Sequence, residues 1–356
     1  MKKILFMLCT AALFFAACSK DETNEEAPIP APSPVVNENA LVLNQGSDNN
    51  ASLTLINLAT GEANSGIFAT ANGRGLGDLA EDVLIYGSKA YATVYGSNTL
   101  EVFNASTGES RRIDLGSRGP RYMAAYNGKI YISCYTPASV IRIDTVNYTI
   151  EATCELGTTY LPEGIAIANG KIVVASSYRY EPDARKGYSY DNHLYVVDLA
   201  TFTTSGTIEV CCNPERVYAL DANRVIVSGN GNYYNQPASA MIVDLSNNIT
   251  TALPVAAYKM AFYNGNIYCY TSEYDDNWNQ VNKYYTIDLN TLSVTEILSD
   301  CNINNAYGIG VNPRNGDIFV LAGSYGITGN VVRFSNSGSK LWEGDAGIYP
   351  CKILFF

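Results

Sequence analysis

The sequence predicts an all-β chain, a seven-bladed β-propeller whose ring is closed by pairing of N- and C-terminal segments in one split blade. Three observations predict it. A four-strand unit of roughly forty residues, the size of one blade, recurs six times. A seventh unit is present only as two halves at opposite ends of the chain. Long segments of helical period are absent, while Val, Ile, Thr and Tyr are abundant.

The unit is clearest in residues 120–157. YMAAY is a short apolar run, and Asn127-Gly128 is a tight hairpin turn, since both residues tolerate positive φ. KIYISCY alternates polar and apolar residues with period 2, as a half-buried strand does. TPAS is a loop. VIRIDT is a third strand ending on an Asp that can bond back to the turn backbone, and TIEATCEL is a fourth. Residues 78–116 repeat the pattern with Gly87-Ser88 and LEVFN, 162–210 with Asn169-Gly170 and LYVVD, and 214–254 with Asp221-Ala222-Asn223 and AMIVD. Residues 257–298 repeat it with Asn264-Gly265 and YYTID, and 306–345 with Asn315-Gly316 and VVRFS. The third strand ends on Asp144, Asp198, Asp244 and Asp288 in four copies, and on Asn104 and Ser335 in the others. The terminal YPCKILFF reads as an innermost strand with nothing after it, and ALVLNQG and LTLINLATGE read as later strands with no first strand before them. Joined, they make one blade, and a closed ring has no exposed sheet edges.

Residues 1–17 carry Lys2 and Lys3, an apolar run from Ile4 to Phe15, and Ala16-Ala17 before Cys18. This is a secretory leader, too short to span a membrane. Residues 18–39 are rich in Glu, Pro and Asn without periodicity, which makes a flexible linker. The propeller is 40–356, one domain larger than a single core normally allows, because each repeat packs on its neighbours.

The net charge of −11 argues against nucleic acid, which requires basic stripes. Charged residues are only 16%, and 27 Tyr with many Asn, Ser and Thr take their place, a composition suited to an adaptable recognition surface. Of nine Cys, Cys9 falls in the leader and Cys18 at its end, which leaves seven. An odd number leaves at least one thiol unpaired. Cys134 and Cys269 lie on second strands and are expected as small buried hydrophobes. For the adjacent Cys211-Cys212, a vicinal disulfide, pairing elsewhere and free thiols all stay open. No CxxC pair or nearby His supports a metal, and no cofactor is expected.

One histidine, His193, precedes a third strand and reads as a loop or surface residue, so no Ser-His-Asp set can be assembled around it. No HExxH, P-loop or dinucleotide fingerprint is present, and the glycine-rich Gly73 to Gly77 reads as a connection between blades. Two-carboxylate glycan chemistry stays open, with Asp191, Asp275, Asp276, Glu181 and Asp183 as candidates, and so does a lyase using Tyr and Arg. Solvation of exposed loops is the favoured role for these acids.

Connections between second and third strands share a face with the connections between blades. Three are long: 176–193, 228–239 and 271–283. Loops this long and aromatic carry function more often than not. The expected ligand-binding residues at this mouth are Tyr95, Arg121, Tyr122, Tyr135, Tyr178, Arg179, Tyr180, Arg216, Asn232, Tyr233, Tyr234, Asn235, Tyr274, Trp278 and Tyr325. Aromatic faces stack on flat or amphipathic ligands and amides supply directional bonds. About half of these rings are expected to pack between loops or blades instead.

Phe15-Ala16-Ala17-Cys18 resembles a bacterial lipoprotein signal, with Phe where Leu is usual. The resemblance implies that Cys18 is lipidated and becomes the mature N-terminus, with more than one acyl chain and hence stable anchoring. Ser19-Lys20-Asp21-Glu22 resembles the acidic signal that places lipoproteins on the outer face of the outer membrane in Bacteroidetes. PEGIAIANGKIVVASS and the LYVVDL-type third strands resemble the YncE-like and quinoprotein-type propellers. The joint pattern resembles the surface-exposed cobalamin-binding lipoproteins of Bacteroidetes, which capture vitamin B12 and related corrinoids for a TonB-dependent transporter. It implies a binding module rather than an enzyme, a corrinoid ligand, a transporter partner, and an anchor in the outer membrane facing the cell exterior. A surface glycan-binding protein or glycan lyase/hydrolase is the alternative, and a propeller that only docks on a transporter or another lipoprotein is a third.

Overall fold

The computed structural model describes residues 38–356 apart from 184–186, 276, 278, 300, 302, 304 and 325, and the side chain of Tyr274. The leader, Cys18 and the linker lie outside the described residues. Seven four-stranded antiparallel sheets form a β-propeller. Blades are numbered in chain order and strands a to d from the innermost outward. Blade three, whose pattern was clearest, has its strands at Pro120–Tyr126, Lys129–Cys134, Ser139–Asp144 and Ile150–Glu155, paired in that order.

The local signals act as expected. Asn127-Gly128, Asn169-Gly170 and Asn264-Gly265 all take positive φ at both positions, the geometry that matches the twist of the flanking strands. At the end of strand c, Asp144 Oδ1 accepts hydrogen bonds from the backbone N–H groups of Val146 and Asn147, both at 2.9 Å. Asp198 and Asp288 do the same for the residues two and three ahead, and so does Asn104. These Asx turns close the c–d hairpins without needing any tertiary contact.

Blade one joins Pro350–Phe355 as strand a to Asn39–Asn44, Ser52–Asn57 and the two-residue Ala63–Asn64. Leu41 pairs with Leu354 and Val42 with Ile353. This pairing of the two ends is compatible with the expected ring closure. Pairing begins at Asn39, and Asn39 and Phe356 exchange backbone hydrogen bonds at 3.1 and 3.0 Å. Glu38 also accepts from the Leu58 N–H, so the ordered sheet starts a residue or two before the expected boundary at Ala40. A short helix, Ile67–Asn72, follows blade one and buries Ile67 and Phe68 against it and blade two.

The core is divided among the interfaces between blades. Among the described residues the buried side chains fall into seven clusters, each shared by two consecutive blades. One of them joins blade seven (Phe319, Leu321, Val331) to blade one (Ala40, Val42, Ile56). This distribution is how a chain of more than three hundred residues buries its apolar surface without one large core. Near the axis the a strands crowd together. A Cβ on Gly164 of blade four would lie 2.5 Å from the Val217 backbone N of blade five, so glycine permits that approach.

Two expectations are corrected. Residues 176–193 and 271–283 are not loops for most of their length. In blade four, strand b runs Lys171–Tyr180 and strand c Tyr188–Asp198, with Tyr178 opposite Tyr190 and Tyr180 opposite Tyr188. In blade six, Asn266–Tyr274 and Gln280–Asp288 stay paired out to Tyr274 and Gln280. Both are hairpins that extend past the rim. Only 228–239 of blade five is mainly loop, between Arg224–Gly229 and Ser239–Asp244. His193 is correspondingly on a strand, its Nδ1 2.7 Å from Asp191 Oδ1. The seven described cysteines are free thiols, with Cys134 and Cys269 fully buried.

Candidate functional site: a tyrosine cup over a charged ring

Six of the a strands carry an irregularity in register near their start, between Ala80 and Asp82, Pro120 and Met123, Pro162 and Ile165, Pro214 and Arg216, Ala306 and Gly308, and opposite Leu43 and Asn44 in blade one. Such bulges re-aim side chains. Six residues at these bulges, together with Lys259 just before the regular a strand Met260–Tyr263 of blade six, form a ring of one per blade: Cys351, Glu81, Arg121, Glu163, Glu215, Lys259 and Tyr307. The next positions add Lys352, Asp82, Tyr122 and Arg216.

The ring is bonded across blades. The Arg121 guanidinium bonds Glu81 through Nη1 and Glu163 through Nε (3.0 Å) and Nη2 (3.3 Å). Tyr135 Oη donates to Glu163 Oε1. Gln45 Nε2 donates to Glu81 at 3.2 Å and its oxygen accepts from Tyr307 Oη at 2.6 Å. Arg216 pairs with Glu215 at 2.9 Å, which also accepts from Asn230 at 2.5 Å. Lys352 pairs with Asp82 at 2.6 Å. The guanidinium of Arg121 lies 5.0 and 4.8 Å from the ring centres of Tyr95 and Tyr135, which touch edge to face, and that of Arg216 lies 4.3 Å from the centre of Tyr122.

Burial sets the titration of these groups. It pushes the Glu163 carboxyl up from its ordinary value, against the pull of Arg121. It also pushes up Glu215, but Arg216 and the Asn230 amide outweigh it and hold that carboxyl down. Burial lowers Arg121, yet Glu163 and Glu81 more than restore it and keep it charged. Burial, then Glu163, raises the Tyr135 phenol, so it stays a neutral donor. Burial, then Arg216, pulls the Lys259 ammonium down to about 8.

Above the ring opens a cup of about 610 Å³. Its floor is Glu81, Arg121, Glu163 and Glu215, and its walls are Tyr95, Tyr135, Tyr178, Tyr180, Tyr188, Tyr190, Tyr233 and Tyr258. The blade-four hairpin builds one wall. Because side chains alternate along a strand, Tyr178, Tyr180, Tyr188 and Tyr190 share one face, and their ring centres lie 5.2–6.5 Å apart along the chain of contacts. Tyr233 of blade five continues it, 5.9 Å from Tyr190. Ser177 and Asn213 fasten hairpin to loop: Ser177 Oγ donates to Asn213 Oδ1 at 2.6 Å, and Asn213 Nδ2 to the Gly231 carbonyl at 3.1 Å. A second cavity of about 790 Å³ adjoins the first through Asn230, Tyr233 and Tyr258 and continues toward blades six and seven.

Of the expected residues, Tyr95, Arg121, Tyr135, Tyr178, Tyr180 and Tyr233 meet in this cup. Tyr122 and Arg216 line the channel beneath it. Arg179 faces away from the four tyrosines, bonded to Glu181 and Thr159 and over the Tyr160 ring. Asn232 holds a turn: its Oδ1 accepts from the N–H groups of Tyr234, Asn235 and Gln236, and its Nδ2 donates to Asn235 Oδ1 at 2.7 Å. Tyr234 is 92% exposed and does not line the cup. Trp278 and Tyr325 lie outside the described residues, as does the Tyr274 side chain. Sequence reasoning missed Tyr188 and Tyr190, Tyr258, and the three floor carboxylates. The candidate acids Asp191, Asp275, Glu181 and Asp183 do not line the cup. Asp275 instead accepts from the Asn277 and Asn279 backbone in its own turn.

No protein-family model and no curated protein sequence matches the chain. Solved structures share its architecture. Hydrazine synthase of Kuenenia stuttgartiensis is 14% identical over 74% of this chain and 85% of that chain, with a TM-score of 0.59. Apo AztD from Citrobacter koseri is 11% identical over 90% and 98%, with a TM-score of 0.56. The computationally designed Ika8 protein is 9% identical over 78% and 95%, with a TM-score of 0.50. The chain is a seven-bladed β-propeller. At these identities the likeness is one of fold alone.

Proposed function

We propose that the protein captures a large, flat, amphipathic molecule, a corrinoid such as cobalamin, at the outer surface of an outer membrane and passes it to a TonB-dependent transporter. The observation that carries the binding reading is the tyrosine cup on its polar floor. Two joined cavities of about 610 and 790 Å³ are each in the range that usually holds one drug-sized ligand, so together they suit something larger. Tyrosine faces stack on a macrocycle. Each floor carboxylate oxygen accepts more than one hydrogen bond, so Glu81, Glu163 and Glu215 can take amide N–H donors from the ligand's edge while keeping their present partners. The surface location and the transporter come from the resemblance of the leader to a lipoprotein signal and of 19–22 to an acidic export signal.

A second reading draws on the same floor. The buried Glu81 and Glu163 and the half-buried Glu215 beneath tyrosine platforms also suit sugar hydroxyls, so a surface glycan-binding protein or a glycan-cleaving enzyme is the rival. The test is gel filtration of the lipid-free chain from Ser19 after mixing with cyanocobalamin, read at the corrin absorbance. A corrinoid binder carries the colour through the column. Colourless protein, with slowed migration in polysaccharide gels or new reducing ends from a glycan panel, would replace this reading with the second. Protease added to intact cells should clip the protein if it stands on the surface and spare it if it does not.

A further inference from the structure

Below the cup, the axis holds another cavity of about 390 Å³. Gln45 and Glu81 line both, so the two are contiguous. Charge around it is unevenly neutralised. On one side a single cation, Arg121, is shared by two carboxylates, Glu81 and Glu163. On the other, Arg216 and Lys259 have one carboxylate, Glu215, between them, and that one pairs with Arg216. Lys259 is 6% exposed. Its ammonium donates to the Tyr307 carbonyl and lies 3.9 Å from the centre of the Tyr307 ring, and among the described residues it forms no ion pair. Arg216 Nε is buried without a hydrogen-bond partner. A buried charge without a counter-charge, and a buried donor without an acceptor, are both costly.

Burial does most to lower the proton affinity of Lys259 and Arg216 adds to it, while Cys351, Glu215 and Glu81 favour its charge too weakly to offset them. The cavity they border changes character with depth. Past the ring its wall is Met260, Phe262, Ile309, Ile353 and Phe355. The charged residues that line it are Arg216, Lys259 and Lys352 against Glu81 and Asp82, with Lys352 and Asp82 paired to each other; that local charge of +1, an apolar end and the volume of a small ligand define a complementary molecule.

We propose that the axial channel binds a small monocarboxylate with an apolar body, its carboxylate on the Arg216 guanidinium and Lys259 Nζ and its body along Phe262, Ile353 and Phe355. A dianion would overcompensate the +1, and a bare inorganic anion would leave the apolar wall unused. The site uses residues outside the cup, so it stands or falls apart from the corrinoid reading.

The test is calorimetric titration of the lipid-free chain from Ser19 with acetate, butyrate, hexanoate and octanoate at pH 7. Affinity should rise about fourfold per methylene until the cavity is full. Lys259→Met should weaken hexanoate at least tenfold while the ligand-free variant melts no lower than wild type. Arg216→Gln should weaken it similarly, and Tyr180→Ala, in the cup, should leave it within about twofold. Wild-type affinity should fall above pH 8 as Lys259 loses its proton. The proposal is overturned if no member of the series gives saturable heat, if acetate binds as tightly as hexanoate, or if Lys259→Met binds like wild type.

Discussion

Replacing Arg121 by Met removes the one cation that Glu81 and Glu163 share. Their side chains are 5% and 4% exposed, and the Arg121 side chain 13%. Methionine fills much of the volume, so packing changes little and the electrostatic loss dominates. Breaking a buried ion pair from one side costs about 3–5 kcal/mol, because the remaining charge is left uncompensated. Unfolding entropy of about 2.1 cal/mol/K per residue over roughly 320 residues gives about 0.67 kcal/mol/K. The variant should therefore melt about 4–8 °C lower at pH 7.5. The sign of the pH dependence follows. Without Arg121 the Glu163 carboxyl loses the charge that opposes its burial, so its folded-state pKa rises further above the unfolded one. A raised carboxyl contributes stability that is present at low pH and lost as pH climbs through the folded value. The deficit should thus shrink between pH 7.5 and pH 5. Urea unfolding followed by tyrosine fluorescence at both pH values measures it. The Arg121→Met, Glu81→Gln, Glu163→Gln triple variant should recover most of the loss. A single variant within about 1 kcal/mol of wild type, or a deficit equal at both pH values, would refute the view that this network holds the axis.

Lys259→Met should be more stable than wild type at pH 7, by about 3 kcal/mol from the depression to about 8. The penalty of a lowered lysine is full below its folded value and shrinks as pH climbs from there to the unfolded one, because the folded state is then neutral while the unfolded state still binds the proton, so that gain should fade as pH rises from about 8 toward 10.5; a constant gain across melts at pH 7 and 9.5 would contradict it. Tyr190→Ala should weaken ligand capture by at least about 1 kcal/mol, as aromatic anchors do, whereas Tyr234→Ala should change it by less than about 0.5 kcal/mol; calorimetry with the two variants compares them. Phe202 has φ +55° and packs against the ring of Tyr131 and the guanidinium of Arg142. Phe202→Gly should therefore cost about 2–4 kcal/mol despite relieving the backbone. Asn248 has φ +62° at the matching position of the next blade and is exposed, so Asn248→Gly should stay within about 0.5 kcal/mol in urea melts.

The blades were legible because their signals are local. A period-2 apolar pattern, an Asn-Gly turn and an Asp two residues before a backbone donor each act within a few residues, and each does so here. The blade-four hairpin was misread as a loop because Pro182, Asp183 and Gly187 signal a turn, and the turn was assigned to the whole of 176–193. The spacing of Tyr178 with Tyr180, and of Tyr188 with Tyr190, was already the alternation of a strand, and would have brought the second pair into the site. The ring was legible in a different way. Pro120-Arg121, Pro162-Glu163, Pro214-Glu215 and Pro350-Cys351 repeat one position at the start of four of the seven a strands. Read singly, a charge there looks solvated. Only the symmetry of the fold turns it inward, where partners from other blades are 28 or more residues away along the chain. Tyr258 and the pairing of Arg121 with two acids depend on that geometry and have no local signal.

The most direct test of the capture function is titration calorimetry of the lipid-free chain from Ser19 with cyanocobalamin, beside the same titration of the Tyr190→Ala variant. A one-to-one association that the variant weakens by at least about fivefold is the predicted result, and would place recognition on the tyrosine wall of blade four. No saturable heat with the wild-type chain would contradict the corrinoid reading, and equal affinity in the two proteins would move the site away from the cup.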